Sequence, residues 1–321
     1  MQIGYHLSSE ELTPSQMLAA AQRAENAGFE FITVSDHYHP WTHRQGQSPF
    51  VWGVIGGIAA VTERIEVGTA VTCPTTRIHP AVIAQAAATA AVMLPGRFFL
   101  GVGTGEALNE HILGDRWPSS GVRREMLEEA IDVIRLLWQG GSQSHFGAHY
   151  TVEQATLFTL PESPPPIVVS GFGEHSIDLA ARIGDGYFTT APDADAVERY
   201  RSGGGEGRCY SKLDVAVADS EAAARRLALQ TWPNSALDGE LAQILPLPAH
   251  FEQATENVTE DMVAESILCE QDAGVHLQRL AEFAEAGYDR VTVQQVGVDQ
   301  ARFLEMYERS VLPELVGARA G

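Results

Sequence analysis

The feature that most restricts this chain is its alternation: short extended runs rich in β-branched and aromatic residues recur between longer amphipathic helical stretches. Runs with strand character fall at residues 3–7, 31–35, 65–70, 98–102, 167–170, 186–190, 213–217 and 290–294. Helical periodicity marks 14–27, 80–93, 123–138, 220–230 and 273–286. Pro14 and Pro80 stand in a first helical turn, where the missing N–H would have had no partner anyway. Strands separated by helices pair in parallel through crossovers rather than through hairpins. Eight of them predict the α/β class and a closed (β/α)8 TIM barrel rather than an open sheet. An internal echo agrees. Ala27-Gly28-Phe29-Glu30-Phe31-Ile32-Thr33-Val34 and Ala286-Gly287-Tyr288-Asp289-Arg290-Val291-Thr292-Val293 both read as a helix ended by glycine, a turn, then a strand.

With 321 residues and 45% apolar content the chain can bury one large core, so a single barrel domain is expected over 1–321. Two segments break the alternation and read as insertions. One spans about 140–166, with an aromatic-rich, hairpin-like stretch at 146–158 and then Pro164-Pro165-Pro166. The other, 231–272, holds Pro233, Pro246 and Pro248 and has the length of a binding loop or lid. Ser202-Gly203-Gly204-Gly205-Glu206-Gly207 lacks the Gly-Lys-Ser/Thr ending of a phosphate loop and follows a helix, so it reads as a turn. A net charge of −21 and a pI near 4.8 argue against nucleic acid as a partner. Lys212 is the only lysine. Cys73, Cys209 and Cys269 form no CxxC pair, and their odd number suits a reducing cytosol. No apolar run reaches membrane-spanning length, and strand residues follow Met1 without an export signal. The expectation is a soluble cytoplasmic protein with no membrane partner.

Chemistry gathers at two places. Ser35-Asp36-His37-Tyr38-His39-Pro40-Trp41 follows the second strand run, and Thr104-Gly105-Glu106-Ala107-Leu108-Asn109-Glu110-His111 follows the fourth. Both lie just past the C-terminal ends of strands, where barrels collect catalytic groups. Asp36-His37 alone could be a helix cap beside a surface histidine, but Trp41 adds a flat apolar wall and an N–H donor. Glu106 could simply favour a helix N-terminus. The glycines at 101, 103 and 105 thin the backbone beside it enough to admit a ligand. His37-Tyr38-His39 could also open a metal site with Glu106, Glu110 and His111. That HxH resembles the one opening the metal site of amidohydrolase barrels, but that family carries it after the first strand, with histidines after middle strands and an aspartate after the last, where this chain offers Ser170-Gly171-Phe172-Gly173, Thr189-Thr190 and Gln294-Gln295. Ser170 to Glu174 leads into a helix whose N-terminus could hold an anion, or is only a tight turn.

Taken together, Ser35-Asp36-His37 with Trp41, Gly68-Thr69-Ala70-Val71 and the run from Gly101 to Glu110 resemble the luciferase-like monooxygenase superfamily. The nearest likeness is its deazaflavin branch, which uses coenzyme F420 and includes F420-dependent glucose-6-phosphate dehydrogenases. The likeness is dense up to Trp138, resumes at Asp185-Gly186, thins through 231–272 and returns over the last helices. The resemblance implies a barrel holding the isoalloxazine-like ring in its C-terminal mouth. It implies that His37 takes the substrate hydroxyl proton, that Glu106 acts at the pyrimidine edge of the ring, and that Trp41 steadies the reacting group. Asp36, Ala70, Val71, Asn109, Ser170, Gly171, Phe172 and Thr190 would line the cofactor, with a non-proline cis peptide between Ala70 and Val71. It further implies a small-molecule substrate (an alcohol, sugar or carbonyl compound) and a homodimer.

An FMN-dependent monooxygenase of the same superfamily is the alternative, and a non-catalytic flavin binder a third possibility that would need no proton-moving residues. One departure bears on substrate. The sugar-phosphate dehydrogenases of this branch hold the phosphate with lysines, and the matching places here are Asp193 and the neighbourhood of Gln253. The substrate is therefore expected to be uncharged unless arginines such as Arg199 or Arg208 replace the clamp. Tyr38, Trp41, the 146–158 stretch and the long excursion are expected to wall its cavity.

Overall fold

The computed structural model describes residues 1–315, so the last six residues of the domain expected over 1–321 lie outside the described part. In chain order the elements are β1 (Gln2–Leu7), α1 (Pro14–Ala27), β2 (Phe31–Val34), α2 (Val51–Val61), β3 (Glu66–Thr69), α3 (Pro80–Met93), β4 (Phe98–Val102), α4 (Ala107–Glu110) and α5 (Ser120–Trp138). There follow β5 (Gln143–Phe146), β6 (Thr151–Ala155), β7 (Ile167–Ser170), α6 (Glu174–Ile183), β8 (Gly186–Phe188), α7 (Ala194–Ser202), β9 (Arg208–Val215) and α8 (Glu221–Thr231). The chain closes with α9 (Leu241–Ile244), α10 (Pro248–Ala254), α11 (Glu260–Ser266), α12 (Ala273–Glu285), β10 (Arg290–Gln295) and α13 (Ala301–Met306). Eight strands form a closed parallel barrel in the order β1-β10-β9-β8-β7-β4-β3-β2, while β5 and β6 make a separate antiparallel hairpin. No helix among the described residues is long and apolar enough to cross a membrane.

Local rules account for the helices. Thr13 caps α1 in a reciprocal box with Gln16, and Gly28 ends that helix at φ +98°. The echo seen in sequence is structural: Gly287 adopts φ +91°, and the strands after the two glycines, β2 and β10, flank β1 on either side. Along the strands, alternate residues face the lumen. Phe31, Phe99, Val168, Phe188 and Tyr210 fill its lower half. Gly4 and Gly68 make room for two of those rings, since a Cβ on either would stand 2.5 and 2.2 Å from Phe31 and Phe99.

β9 differs from the sequence expectation: it begins at Arg208 and ends at Val215, against 213–217. Arg208, Tyr210, Lys212 and Asp214 share its lumen-facing parity, so polar side chains interrupt the apolar pattern that marks other strands. α2 escapes amphipathic periodicity because Val-Trp-Gly-Val-Ile-Gly-Gly-Ile-Ala-Ala-Val has no polar face. The 140–166 insertion does form a hairpin, held to α5 by three backbone N–H groups (Ala148, His149, Tyr150) donating to Glu129. Phe146 and Phe158 point into solvent and do not wall a cavity, contrary to expectation, whereas Tyr150 is buried, its hydroxyl donating to the Thr75 carbonyl at 2.9 Å. The 202–207 stretch is a turn at the N-terminal end of β9, with Arg201 donating to the Gly205 and Gly207 carbonyls.

Candidate active site

The mouth is built from the segments that leave β1, β2, β3 and β4. After β2 the chain passes through Ser35 and Asp36, both buried. The Asp36 carboxylate is held by the segment after β3: Oδ2 accepts from Thr72 Oγ1, and Oδ1 accepts from Arg77 Nη2 at 2.9 Å. Arg77, with a side chain only 6% exposed, also donates its backbone N–H to Glu110 Oε2 at 2.6 Å and faces Glu110 Oε1 through Nε at 3.4 Å. One guanidinium between two carboxylates thus ties the β2 and β3 loops to α4. Burial pushes the Glu110 carboxyl up to about 7 even with Arg77 beside it.

His37 and Glu106 arrive from different strands and meet through Asn109. The Asn109 Oδ1 accepts from the backbone N–H of Tyr38 at 2.8 Å and of His39 at 3.2 Å. Its Nδ2 donates to Glu106 Oε2 at 3.3 Å and lies 3.2 Å from His37 Nδ1. Trp41 stands beside the imidazole with ring centres 5.0 Å apart. The three residues singled out in sequence therefore share one place at the C-terminal end of the barrel: Asn109, expected to line a cofactor, joins His37 to Glu106, and Trp41 stands against His37.

Glu10 escaped the sequence reading. It sits in the turn after β1, accepts from Ser8 Oγ at 2.9 Å and Ser35 Oγ at 2.6 Å, and places Oε1 3.4 Å from His37 Nε2. Burial opposes its charge, but the neighbouring His37 and the Ser35 hydroxyl outweigh that and hold its pKa down at about 2. A signal was available: Ser8-Ser9-Glu10-Glu11 follows the first strand at the same edge as the two motifs.

The histidines of the metal alternative are engaged elsewhere. His39 Nδ1 faces the Leu108 carbonyl at 2.9 Å, and His111 Nδ1 the Ala107 carbonyl at 2.7 Å. Among the described residues no group of three or more His, Cys, Asp or Glu is placed to hold a metal ion.

The Ala70-Val71 peptide is cis, as the resemblance implied. Two of the glycines before Glu106, Gly101 and Gly103, make room for this bulge, while Gly105 at φ +75° packs on Cys73. A Cβ at Gly101 would lie 1.9 Å from the Thr69 carbonyl oxygen, and one at Gly103 2.8 Å from Val71 Cγ2. Ser170 is half-buried at the end of β7, and the Gly171 carbonyl accepts from Tyr187 Oη at 2.8 Å. Phe172 is exposed, and Gly173 starts α6 without a side-chain cap, leaving first-turn N–H groups facing outward. Thr190, two residues past β8, is exposed.

The opposite wall comes from β9, β10 and the 231–272 excursion. Trp41 packs on Phe251 at 5.2 Å and shares an apolar cluster with Trp232, Val263 and Ile267, while α9 rests against α4, so the excursion arches over the mouth. Trp232 Nε1 donates to Glu11 Oε2 at 2.7 Å. The arginines that could replace a phosphate clamp are committed. Arg199 grips Asp178 through two bonds at 2.7 and 2.8 Å, and Arg208 lies at the N-terminal end of β9, away from the mouth. Asp193 caps α7, accepting from Ala196 N at 2.9 Å.

A sequence profile described as luciferase-like monooxygenase matches residues 1–290. A protein of Microbacterium testaceum named F420-dependent glucose-6-phosphate dehydrogenase is 35% identical over 98% of this chain and 97% of its own length. A solved structure of an F420-dependent secondary alcohol dehydrogenase in complex with an F420-acetone adduct superposes with a TM-score of 0.90 at 28% identity, covering 97% of this chain and 98% of that one. The coenzyme F420-dependent tetrahydromethanopterin reductase of Methanopyrus kandleri shares the fold, with a TM-score of 0.77 at 19% identity over 98% and 99% of the two chains.

Proposed function

The chain belongs to the luciferase-like monooxygenase family, and within it we propose an oxidoreductase that moves hydride between coenzyme F420 and an uncharged alcohol, sugar or carbonyl compound. The observation that carries this reading is the meeting of His37 and Glu106 through Asn109, with Trp41 beside the imidazole, at the barrel mouth.

The donor set fits a deazaflavin. Glu106, Asn109 and Ser170 offer the mixed acceptors and donors that a pyrimidine edge of carbonyls and N–H requires, and the 70–71 bulge offers a small apolar surface for a planar ring. When bound, F420 supplies the hydride acceptor. The chain's residues manage the substrate. Trp41 walls the reacting carbon, and His37 takes the hydroxyl proton as the carbinol C–H hydride leaves, so the alcohol becomes a carbonyl without accumulating charge. A proton arriving on His37 finds an acceptor on each side, the His39 carbonyl 3.1 Å from Nδ1 and Glu10 3.4 Å from Nε2. Glu10 remains ionised and supplies the countercharge.

Preference for a neutral substrate is supported by the committed arginines, by Asp193 as a helix cap, and by the acidic company of Lys212. The described residues act as one barrel domain with insertions at 140–166 and 231–272, working in the cytoplasm, where three buried unpaired cysteines persist as thiols. A homodimer forms through α2 and α3, whose outer face exposes Phe50, Val82 and Met93. Titrating the apoprotein with F420 and with FMN tests the cofactor: F420 binding at least tenfold tighter is expected, and preferential FMN binding with oxygen-dependent turnover would replace this reading by a monooxygenase.

A further inference from the structure

The wall facing His37 carries a second polar set that proton transfer does not use. Lys212 on β9 and Thr292 on β10 are register partners, as are Asp214 and Gln294 one step nearer the mouth. Lys212 Nζ donates to Gln294 Oε1 at 3.0 Å, stands 2.9 Å from Asp214 Oδ1, and lies 5.5 Å above the Trp232 ring. The contact with Asp214 is an ion pair without hydrogen-bond alignment. Among the described residues Asp214 Oδ1 therefore has no hydrogen-bonding donor, and Gln294 Nε2, on a fully buried side chain, has no acceptor. Two side chains facing each other across adjacent strands thus leave one unmet acceptor and one unmet donor.

The set belongs to the same mouth. Glu10, which faces His37, and Glu11, which accepts from Trp232, are consecutive residues, and Trp232 is the ring beneath Lys212. Glu11 also accepts from Gly297 N at 2.8 Å, just past β10.

We propose that Asp214, Gln294 and Lys212 form a hydroxyl-reading subsite, and that the substrate is an uncharged polyhydroxylated compound, a sugar or polyol, rather than a monofunctional alcohol. This rests on the oxidoreductase reading and names its substrate class. A hydroxyl both donates and accepts, so one substrate O–H answers Asp214 Oδ1 while its oxygen answers Gln294 Nε2 or Lys212. A monofunctional alcohol spends its only hydroxyl at His37 and leaves both buried atoms unmet, which weakens its binding. A phosphate or carboxylate accepts only, and would crowd Asp214 and Glu11. Lys212 does not invite it, because its charge already faces Asp214.

The test is tryptophan fluorescence, since Trp41 and Trp232 both line this region. The full-length protein is titrated with glucose, sorbitol, propan-2-ol and glucose-6-phosphate, then repeated with Gln294→Met and Asp214→Asn, with melting temperature as the folding control. Saturable binding of glucose or sorbitol at least tenfold tighter than propan-2-ol is expected, with Kd for the polyol rising at least tenfold in either variant. Propan-2-ol or the phosphate ester binding as tightly as the polyols, or folded variants with unaltered polyol affinity, would overturn the subsite. Should both variants misfold, the wild-type comparison decides alone. Reduction of F420 by propan-2-ol without polyol binding sinks the subsite and spares the oxidoreductase; polyol binding without F420 reduction by any alcohol does the reverse.

Discussion

On the β2–β4 side of the mouth each polar group needed for proton transfer already has a partner, whereas on the β9–β10 side a donor and an acceptor face each other unmet. His37 is flanked by Glu10, the His39 carbonyl and Asn109, and Asn109 also holds Glu106. Asp214 and Gln294 both touch Lys212, and no other group among the described residues completes their hydrogen bonds. A reacting group must be held in one geometry before the substrate arrives, so its supports come from the protein. A recognition group keeps its unused bonds for the ligand, at some expense in stability, and so sets which compound is accepted.

The sharpest way to break this contrast is at His37. His37→Ala removes the only base between Glu10 and Trp41, and kcat should fall by about 10²–10⁴ while F420 affinity stays within a few-fold. Pre-steady-state mixing with saturating F420 separates the two effects. A loss below tenfold would return the proton-transfer role to another residue.

Glu10→Gln should do less to catalysis, about tenfold in kcat, because it removes a countercharge and not the base. Its signature lies in the pH dependence of stability. The carboxyl's pKa falls from 4.5 to about 2 on folding, so its stabilisation is present above pH 4.5 and is lost as pH falls toward 2. The wild-type melting temperature should drop across that window more steeply than that of Glu10→Gln. Parallel curves would mean that Glu10 is not ionised against His37.

The barrel was legible because parallel strands buried on both faces repeat a strong apolar signal between amphipathic helices. His37, Trp41 and Glu106 were legible because each follows such a strand within a few residues. β9 was half hidden, since Arg208, Tyr210, Lys212 and Asp214 turn polar atoms into the lumen. The glycines at 101 and 103 were visible, but not that their missing side chains accommodate Thr69 and Val71. Nothing in the sequence showed that Asp214 and Gln294 face one another, because that depends on the β9–β10 register between strands about 80 residues apart in the chain. Glu10 was readable only in retrospect, as a carboxylate just past the first strand.

Hydride transfer from a neutral carbinol to F420, with His37 taking the proton, is the proposed reaction. The most direct measurement is anaerobic turnover of a sugar or polyol deuterated at the oxidised carbon, with F420 as acceptor and the glucose-6-phosphate analogue beside it. Deuterium on the reduced coenzyme, a primary isotope effect, no need for oxygen, and a kcat/KM for the neutral substrate above that of its phosphate ester are expected. Turnover that requires oxygen and FMN, or that depends on the phosphate, would contradict it.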